Sequence, residues 1–380
     1  MENILHNLRS DHLAGRRGGM TAICSVRREV LEAAMESALP GSGPLLIEAT
    51  ANQVNQYGGY SGMTPAAFAP HIDRLADAMG FPRHRLVLGA DHLGPYAWRD
   101  QPAETAMRRA VELVRRCVAA GFKKIHLDTG FGCADDPPAD LPPETAAERA
   151  AVLCRTAESA AERLAPGASR PLYVIGVEVP PPGGALEDPE ALEVTPVAKL
   201  QEALRIYAAR FRSARLESAW ERVLAVVVQP GVEFGDDTVA RYGSARAAAL
   251  SQFHARLPGI MTYEVHSTDY QPPECLGRMV ADHFTVVKAG PCLTDAFREA
   301  VFALARIESD QLSRSRGVQL SNLRTVMEAV MLENPAHWQA HYRGPDEKRR
   351  HLRSHSQRDR IRYYWSHPAA ASALERLVNN

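Results

Sequence analysis

The segment Leu86-Val87-Leu88-Gly89-Ala90-Asp91-His92-Leu93-Gly94-Pro95 decides how the chain is read. It is a short apolar run that ends in an acid and an imidazole and is then broken by Gly-Pro. Such a run, stopped by turn residues, has the pattern of a strand buried on both faces of a parallel sheet. Asp91 and His92 then fall at its C-terminal tip, where one side chain can hold a metal or a substrate oxygen while its neighbour moves a proton. The plainer alternative is that Asp91 caps the next turn and His92 bonds nearby backbone.

Seven further runs surround this one: Thr21 to Val26, Leu45 to Ala49, Lys124 to Asp128, Tyr173 to Glu178, Val223 to Gln229, Met261 to His266, and Phe284 to Lys288. Stretches with helical spacing lie between them. Thr64-Pro65 opens one as N-cap and first-turn proline, and Pro143-Glu144 opens the alanine-rich stretch from Thr145 to Leu164. Eight strand-and-helix units in roughly 290 residues fit a single (β/α)8 TIM barrel of the α/β class. An open doubly wound sheet is the competing topology, but its Gly-x-Gly-x-x-Gly turn is missing after the first strand. Residues 1–311 read as the barrel. Residues 312–380, rich in Arg and His, read as a helical extension packed on it, more as a rim or subunit contact than as a separate domain.

Composition narrows the function. The chain has 380 residues, 45% hydrophobic, with a formal net charge of -1, which suits a large buried core. Scattered Lys and Arg argue against a nucleic-acid partner. No apolar run approaches a membrane span and the start carries no signal core, so a cytoplasmic protein without membrane contact is expected. The six cysteines stand singly, which argues against a disulfide scaffold or a zinc knuckle.

In a barrel the C-terminal strand ends converge on one mouth. Here they supply Glu48, Asp91, His92, Asp128, Glu178, Gln229, Glu264, His266 and Lys288. So many ionisable tips suit a catalytic mouth better than eight separate structural accidents. His92, His266 and Glu178 form a workable set for a divalent cation, zinc first, with manganese, cobalt, nickel and magnesium as alternatives. The loop Asn52-Gln53-Val54-Asn55-Gln56-Tyr57-Gly58-Gly59-Tyr60 sets amide side chains among glycines, as a polyhydroxylated ligand needs. After the last strand, Ala289-Gly290-Pro291-Cys292-Leu293-Thr294 leads into a helix expected over Asp295 to Glu308, a common place for phosphate in barrels. Arg358-Asp359-Arg360-Ile361-Arg362 reads as a solvated face, with a phosphate clamp as the other option.

Several of these runs together resemble one family. Glu48 to Gln56, Asp91 to Pro95, Lys124 to Asp128, Val228-Gln229-Pro230-Gly231-Val232-Glu233-Phe234, Glu264 to Tyr270 and Asp359 to Trp365 are similar to the accessory (Z) subunit family of class II tagatose-1,6-bisphosphate aldolase. The resemblance implies a (β/α)8 fold and a place in tagatose or galactitol breakdown. Members of that family have been described as tagatose-6-phosphate kinases, as non-catalytic subunits of the aldolase, and as 4-epimerases acting on tagatose 6-phosphate and fructose 6-phosphate. The kinase description finds no Gly-x-x-x-x-Gly-Lys loop here.

Set against class II aldolases more broadly, the resemblance implies Asp91 as proton carrier and His92 as metal ligand. Glu178 with Gly183 and Gly184 resembles their strand-end Glu, and His266-Ser267-Thr268 resembles their late phosphate strand. Their remaining His-Gly ligand position is Gln229-Pro230-Gly231 here, so Glu178 or Gln229 would have to complete the shell. The expectation is a metal-dependent sugar-phosphate 4-epimerase with Asp91 and a second acid/base, Asp128 or Glu48. Asn52, Gln53, Asn55, Gln56, Gly59, Ser267, Thr268 and Asp269 would hold substrate, and Lys288, Gly290 and Thr294 its phosphate. The alternative is a stabilising subunit of the class II aldolase. A homo-oligomer is expected in either case.

Overall fold

The computed structural model describes residues 2–137, 141–176 and 192–380. Every apolar run named above forms a strand: β1 Met20–Ile23, β2 Leu45–Thr50, β3 Leu86–Leu93, β4 Lys124–Leu127, β5 Leu172–Gly176, β6 Val223–Val227, β7 Thr262–Val265 and β8 Val286–Ala289. They pair in chain order, all parallel, and β8 closes on β1 from Met20↔Val286 to Ile23↔Ala289. The architecture is the closed (β/α)8 TIM barrel with helices outside. Thr64 precedes the helix Pro65–Met79, and Pro143 opens Pro143–Ala161, with proline in the first turn of each.

Two-residue periodicity sorts each strand into an outer and an inner face. Outward residues such as Ile47, Ala49, Ile125 and Val265 join the apolar layer between strands and helices. Inward residues change character along the barrel axis. At the N-terminal end Ala22, Leu46, Val87, Val174 and Val286 form an apolar plug, covered by Leu5 and Leu8 of the first helix, Glu2–Leu13. One inward step further come Glu48, Lys124, Glu264 and Lys288, all buried. Gly89 leaves that layer open, because a Cβ there would stand 2.7 Å from Glu48 Cγ.

Past β8, the helix Pro291–Leu312 is longer at both ends than the sequence suggested. Helices Leu323–Glu333, Asp346–His355 and Pro368–Asn379 and a 3-10 turn Arg360–Tyr364 follow. They share one apolar cluster with Val301 and Phe302, built around Met327, Trp338, Tyr342, Ile361 and Trp365. The cluster is tied to the mouth of the barrel. Tyr270 Oη donates to Gln357 O at 2.6 Å, Ser366 Oγ to Tyr60 O at 2.7 Å, and Gln357 N to Asp236 O at 2.8 Å. No described helix is long and apolar enough to cross a membrane.

Candidate active site

The mouth is built from two inward layers of polar side chains above the apolar plug. Lys124 on β4 lies 2.5 Å from Glu48 Oε1 and 2.7 Å from Glu264 Oε2, and all three side chains are fully buried. Lys288 lies 2.9 Å from Glu48 Oε2 and also pairs with Asp91. Burial alone would drive protons off both lysines; Glu264 and Glu48 around Lys124, and Asp91 and Glu48 around Lys288, reverse this and raise both above the ordinary range.

Above the lysines stand three imidazoles. The ring centres of His92, His126 and His266 are 5.0 to 5.3 Å apart. His92 and His266, 174 positions apart in the chain, are thus neighbours in space. His126 Nδ1 lies 2.8 Å from Asp91 Oδ1, His92 Nδ1 2.7 Å from Asp128 Oδ2, and His266 Nε2 3.0 Å from Glu264 Oε1.

Asp91 and His92 were expected at the tip of β3, but the strand runs on through both to Leu93. A register shift against β4 between Ala90 and Leu93, with His92 at φ +50, is a bulge that lets adjacent side chains enter the same mouth. Gly94 then brushes β4: a side chain there would collide with the carbonyl of Asp128.

Charge decides what this mouth attracts. Glu48, Asp91, Asp128 and Glu264 set four carboxylates against two ammoniums. Burial would raise Asp91, yet His92 and Lys288 hold its carboxyl well below the usual range. Burial is likewise outweighed at Glu264 by Lys124 and Lys288. Burial, reinforced by Lys288, holds His266 neutral. Burial also opposes charge on His92, but Asp91 and Asp128 outweigh it and raise its pKa.

One donor atom from each of Asp91, His126, Glu264 and His266 lies within 4.8 Å of the others. His126 Nε2 is buried and has no hydrogen-bond partner among the described residues. Two imidazoles, two carboxylates and an orphaned ring nitrogen fit a divalent cation, so the mouth is a candidate His/Asp/Glu metal site. His126, absent from the ligand set drawn from sequence, is in this group, whereas His92 turns its Nδ1 to Asp128 beside it. The signal was available: Lys124, His126 and Asp128 alternate, so one face of β4 carries all three.

The cavity at the mouth is lined by Cys24, Thr50, Gln53, Tyr60, Asp91, His92, Phe234, His266, Ser267, Asp269, Lys288, Gly290, Arg362 and Tyr363, among others. Several expected residues are elsewhere. Glu178, with Gly183 and Gly184, lies outside the described residues. Gln229 Oε1 accepts from Gly231 N and Val232 N at 2.8 Å each, so it pins its own turn instead of pointing to an ion. Glu48 and Asp128 are buried beneath the lining. Asn55 Oδ1 accepts from Tyr57 N and Gly59 N, and Gln56 Nε2 donates to Arg109 O; both shape the loop.

Asn52 accepts through its backbone carbonyl from Tyr60 N, and Gly59, at φ +57, packs on Gln53 so closely that no Cβ fits. Gln53 reaches the cavity while donating to Cys24 O at 3.2 Å. Thr268 Oγ1 donates to Lys288 O at 2.6 Å.

The loop after β8 also differs from expectation. Gly290 N and Cys292 N both donate to Asp269 Oδ1 at 2.9 Å, and Thr294 Oγ1 donates to Asp359 Oδ2 at 2.5 Å. A carboxylate of the chain itself occupies the helix N-terminus where a phosphate was expected. Arg358, Asp359 and Arg360, read as a solvated face, are buried because the extension folds them against the mouth.

Comparison with known proteins agrees with this architecture. The family profile described as D-tagatose-1,6-bisphosphate aldolase subunit GatZ/KbaZ-like matches residues 5–380. A crystal structure from Sinorhizobium meliloti 1021, titled a probable tagatose 6 phosphate kinase, is 44% identical with a TM-score of 0.84, covering 95% of this chain and 87% of that one. A fructose-bisphosphate aldolase from Campylobacter jejuni is 12% identical, covering 100% of this chain and 90% of that one, with a TM-score of 0.48. That likeness is too distant to carry function. The profile spans nearly the whole chain, and this protein therefore belongs to the GatZ/KbaZ-like family of D-tagatose-1,6-bisphosphate aldolase subunits.

Proposed function

We propose that the chain epimerises C4 of a ketohexose 6-phosphate, interconverting tagatose 6-phosphate and fructose 6-phosphate by retro-aldol cleavage and re-addition. The observation that carries this reading is the convergence of Asp91 with His92, His126 and His266 at one barrel mouth. Loss of the C4 hydroxyl proton breaks C3–C4, leaving an enediolate on C1 to C3 and an aldehyde on C4 to C6. Re-addition of C3 to the other face of the aldehyde returns a proton to the C4 oxygen with the configuration inverted.

Asp91, kept ionised by His92 and Lys288, lines the cavity and accepts the first proton. Inversion needs a second proton carrier. His92 lines the same cavity and is oriented by Asp128, so the pair returns the proton. Asp91, His126, Glu264 and His266 would hold a divalent cation, zinc before manganese, cobalt, nickel or magnesium. When bound, it supplies Lewis-acid stabilisation of the negative charge developing on the three-carbon fragment. Glu48 fixes Lys288 from below, and Gln53, Tyr60 and Ser267 offer hydrogen bonds to sugar hydroxyls.

The second reading is a subunit that stabilises a class II aldolase and turns nothing over. The family's description favours it, as does Gln229, whose side-chain oxygen is spent on a turn. One experiment separates the two. The purified chain is given a divalent metal and tagatose 6-phosphate, with labelled glyceraldehyde 3-phosphate present to report cleavage. Fructose 6-phosphate that gains label supports epimerisation. No turnover with any of the five metals, together with rescue of a labile aldolase partner, supports the subunit.

A further inference from the structure

The stretch from Arg358 to Arg362 brings three guanidiniums to the rim, and among the described residues two of them form no direct ion pair. Arg298 takes the carboxylate of Asp359 at 2.7 Å, and Arg358 faces Asp236 at 3.6 Å. Among the described residues, no carboxylate oxygen lies within 4.0 Å of Arg360 or Arg362. Arg360 is 6% exposed; its Nε donates to His337 O at 2.5 Å, and its Nη1 is buried with no partner at all.

Arg362 lines the cavity and spends Nη1 on the carbonyls of Arg358 and Asp359, at 2.5 and 2.9 Å. Both guanidiniums lie against one ring, 4.5 and 4.7 Å from the centre of Tyr363. That ring is stacked on His337 at 4.7 Å and touches Tyr60 at 4.5 Å. Two like charges held on one aromatic ring with no carboxylate in direct contact are unfavourable unless an anion joins them.

We propose that Arg362, backed by Arg360, is the subsite for the phosphate monoester of the substrate. The proposal rests on reading the mouth as a ketohexose-phosphate site. Two unpaired guanidiniums balance the charge of about -1.5 to -2 that a phosphate monoester carries at neutral pH, and an Arg fork suits its oxygens. The start of helix Pro291–Leu312 is the other place a barrel would offer. There the amides of Gly290 and Cys292 are already taken by Asp269, whose carboxylate lines the cavity and would repel a phosphate. The substrate thus lies between two ends, its phosphate on the C-terminal extension and its carbonyl end over the imidazoles. Arg362 is a binding residue in this arrangement, and Arg360 a positioning one.

The test reads binding, not turnover. Calorimetric titration of the full chain with fructose 6-phosphate, free fructose and a hexuronate gives the preference for the phosphate. Wild type is expected to favour the sugar phosphate over the free sugar, and Arg362→Gln to cut that preference about 10- to 100-fold while free-sugar affinity holds. Arg362→Lys, which keeps charge but loses the fork, falls between. In parallel, inorganic phosphate is expected to raise the melting temperature of wild type above that in chloride of equal ionic strength.

An Arg362→Gln chain that keeps full phosphate preference overturns the proposal. So does a hexuronate bound as tightly as the sugar phosphate by wild type. If Arg362→Gln does not fold, the lysine variant and the wild-type phosphate effect decide, and absence of both overturns it. Phosphate-dependent binding without epimerisation would instead retain the subsite and remove the proposed activity.

Discussion

His126 holds Asp91 through one ring nitrogen, Nδ1 at 2.8 Å from Oδ1, and leaves the other, Nε2, buried without a partner among the described residues. An imidazole so placed has a lone pair to offer an ion. His126→Asn is expected to weaken zinc binding at least about 100-fold, as losing a ligand should cost no less than losing its outer support. Competition titration against a chelator measures it, and unchanged affinity would remove His126 from the ligand set.

Lys124 sits between Glu48 and Glu264 with all three side chains fully buried. Lys124→Met leaves Glu48 and Glu264 with Lys288 as their one shared ammonium and is expected to cost about 3 kcal/mol in urea unfolding. Adding Glu48→Gln to that variant should recover part of the loss. Equal stability of the single and double variants would mean the pair is not coupled.

Gly94 has no room for a side chain because Asp128 O lies against its Cα. Gly94→Ala is expected to cost about 3 kcal/mol or more through overpacking, and to shift Asp128 away from His92. Thermal unfolding gives the first effect. Loss of slowly exchanging His92 ring protons in proton NMR gives the second.

At the opposite end of the barrel, His254 is stacked on His283 at 4.5 Å, and His283 Nδ1 meets His12 Nδ1 at 3.0 Å. Burial, then the neighbouring His283 and His12, lowers His254 to about 3, and burial also lowers His283. Both groups are thus held below the ordinary imidazole range near 6.5. The unfolded chain therefore takes up protons first. Stability is complete above about pH 6.5 and is lost as pH falls toward 3. The melting temperature is expected to drop between pH 7 and about pH 5, and His254→Leu to flatten that slope. A variant that follows the wild-type curve would place the titration elsewhere.

Much of this was legible in the chain, for identifiable reasons. Strands buried on both faces announce themselves as apolar runs, so all eight were visible, and their polar ends marked the mouth. What failed was parity and partnership. His126 lies one inward step below the tip that Asp128 occupies, so a reading confined to strand ends stops short of it. The burial of Arg358 and Arg360 depends on how helices after residue 312 fold back on the rim, which no local pattern encodes. Asp269 does line the cavity, but only three dimensions show that its Oδ1 also accepts from Gly290 N and Cys292 N.

The ammonium of Lys288 has one more implication. It hangs from the last strand yet touches acids carried by the second and third, across the seam where the cylinder is sewn shut. A slip of one position at that seam would swing it toward the outer helices, burying an unpaired ammonium there and taking it from both acids. The chemistry of the mouth therefore also proofreads assembly, since only a correctly stitched barrel gives that ammonium its acids.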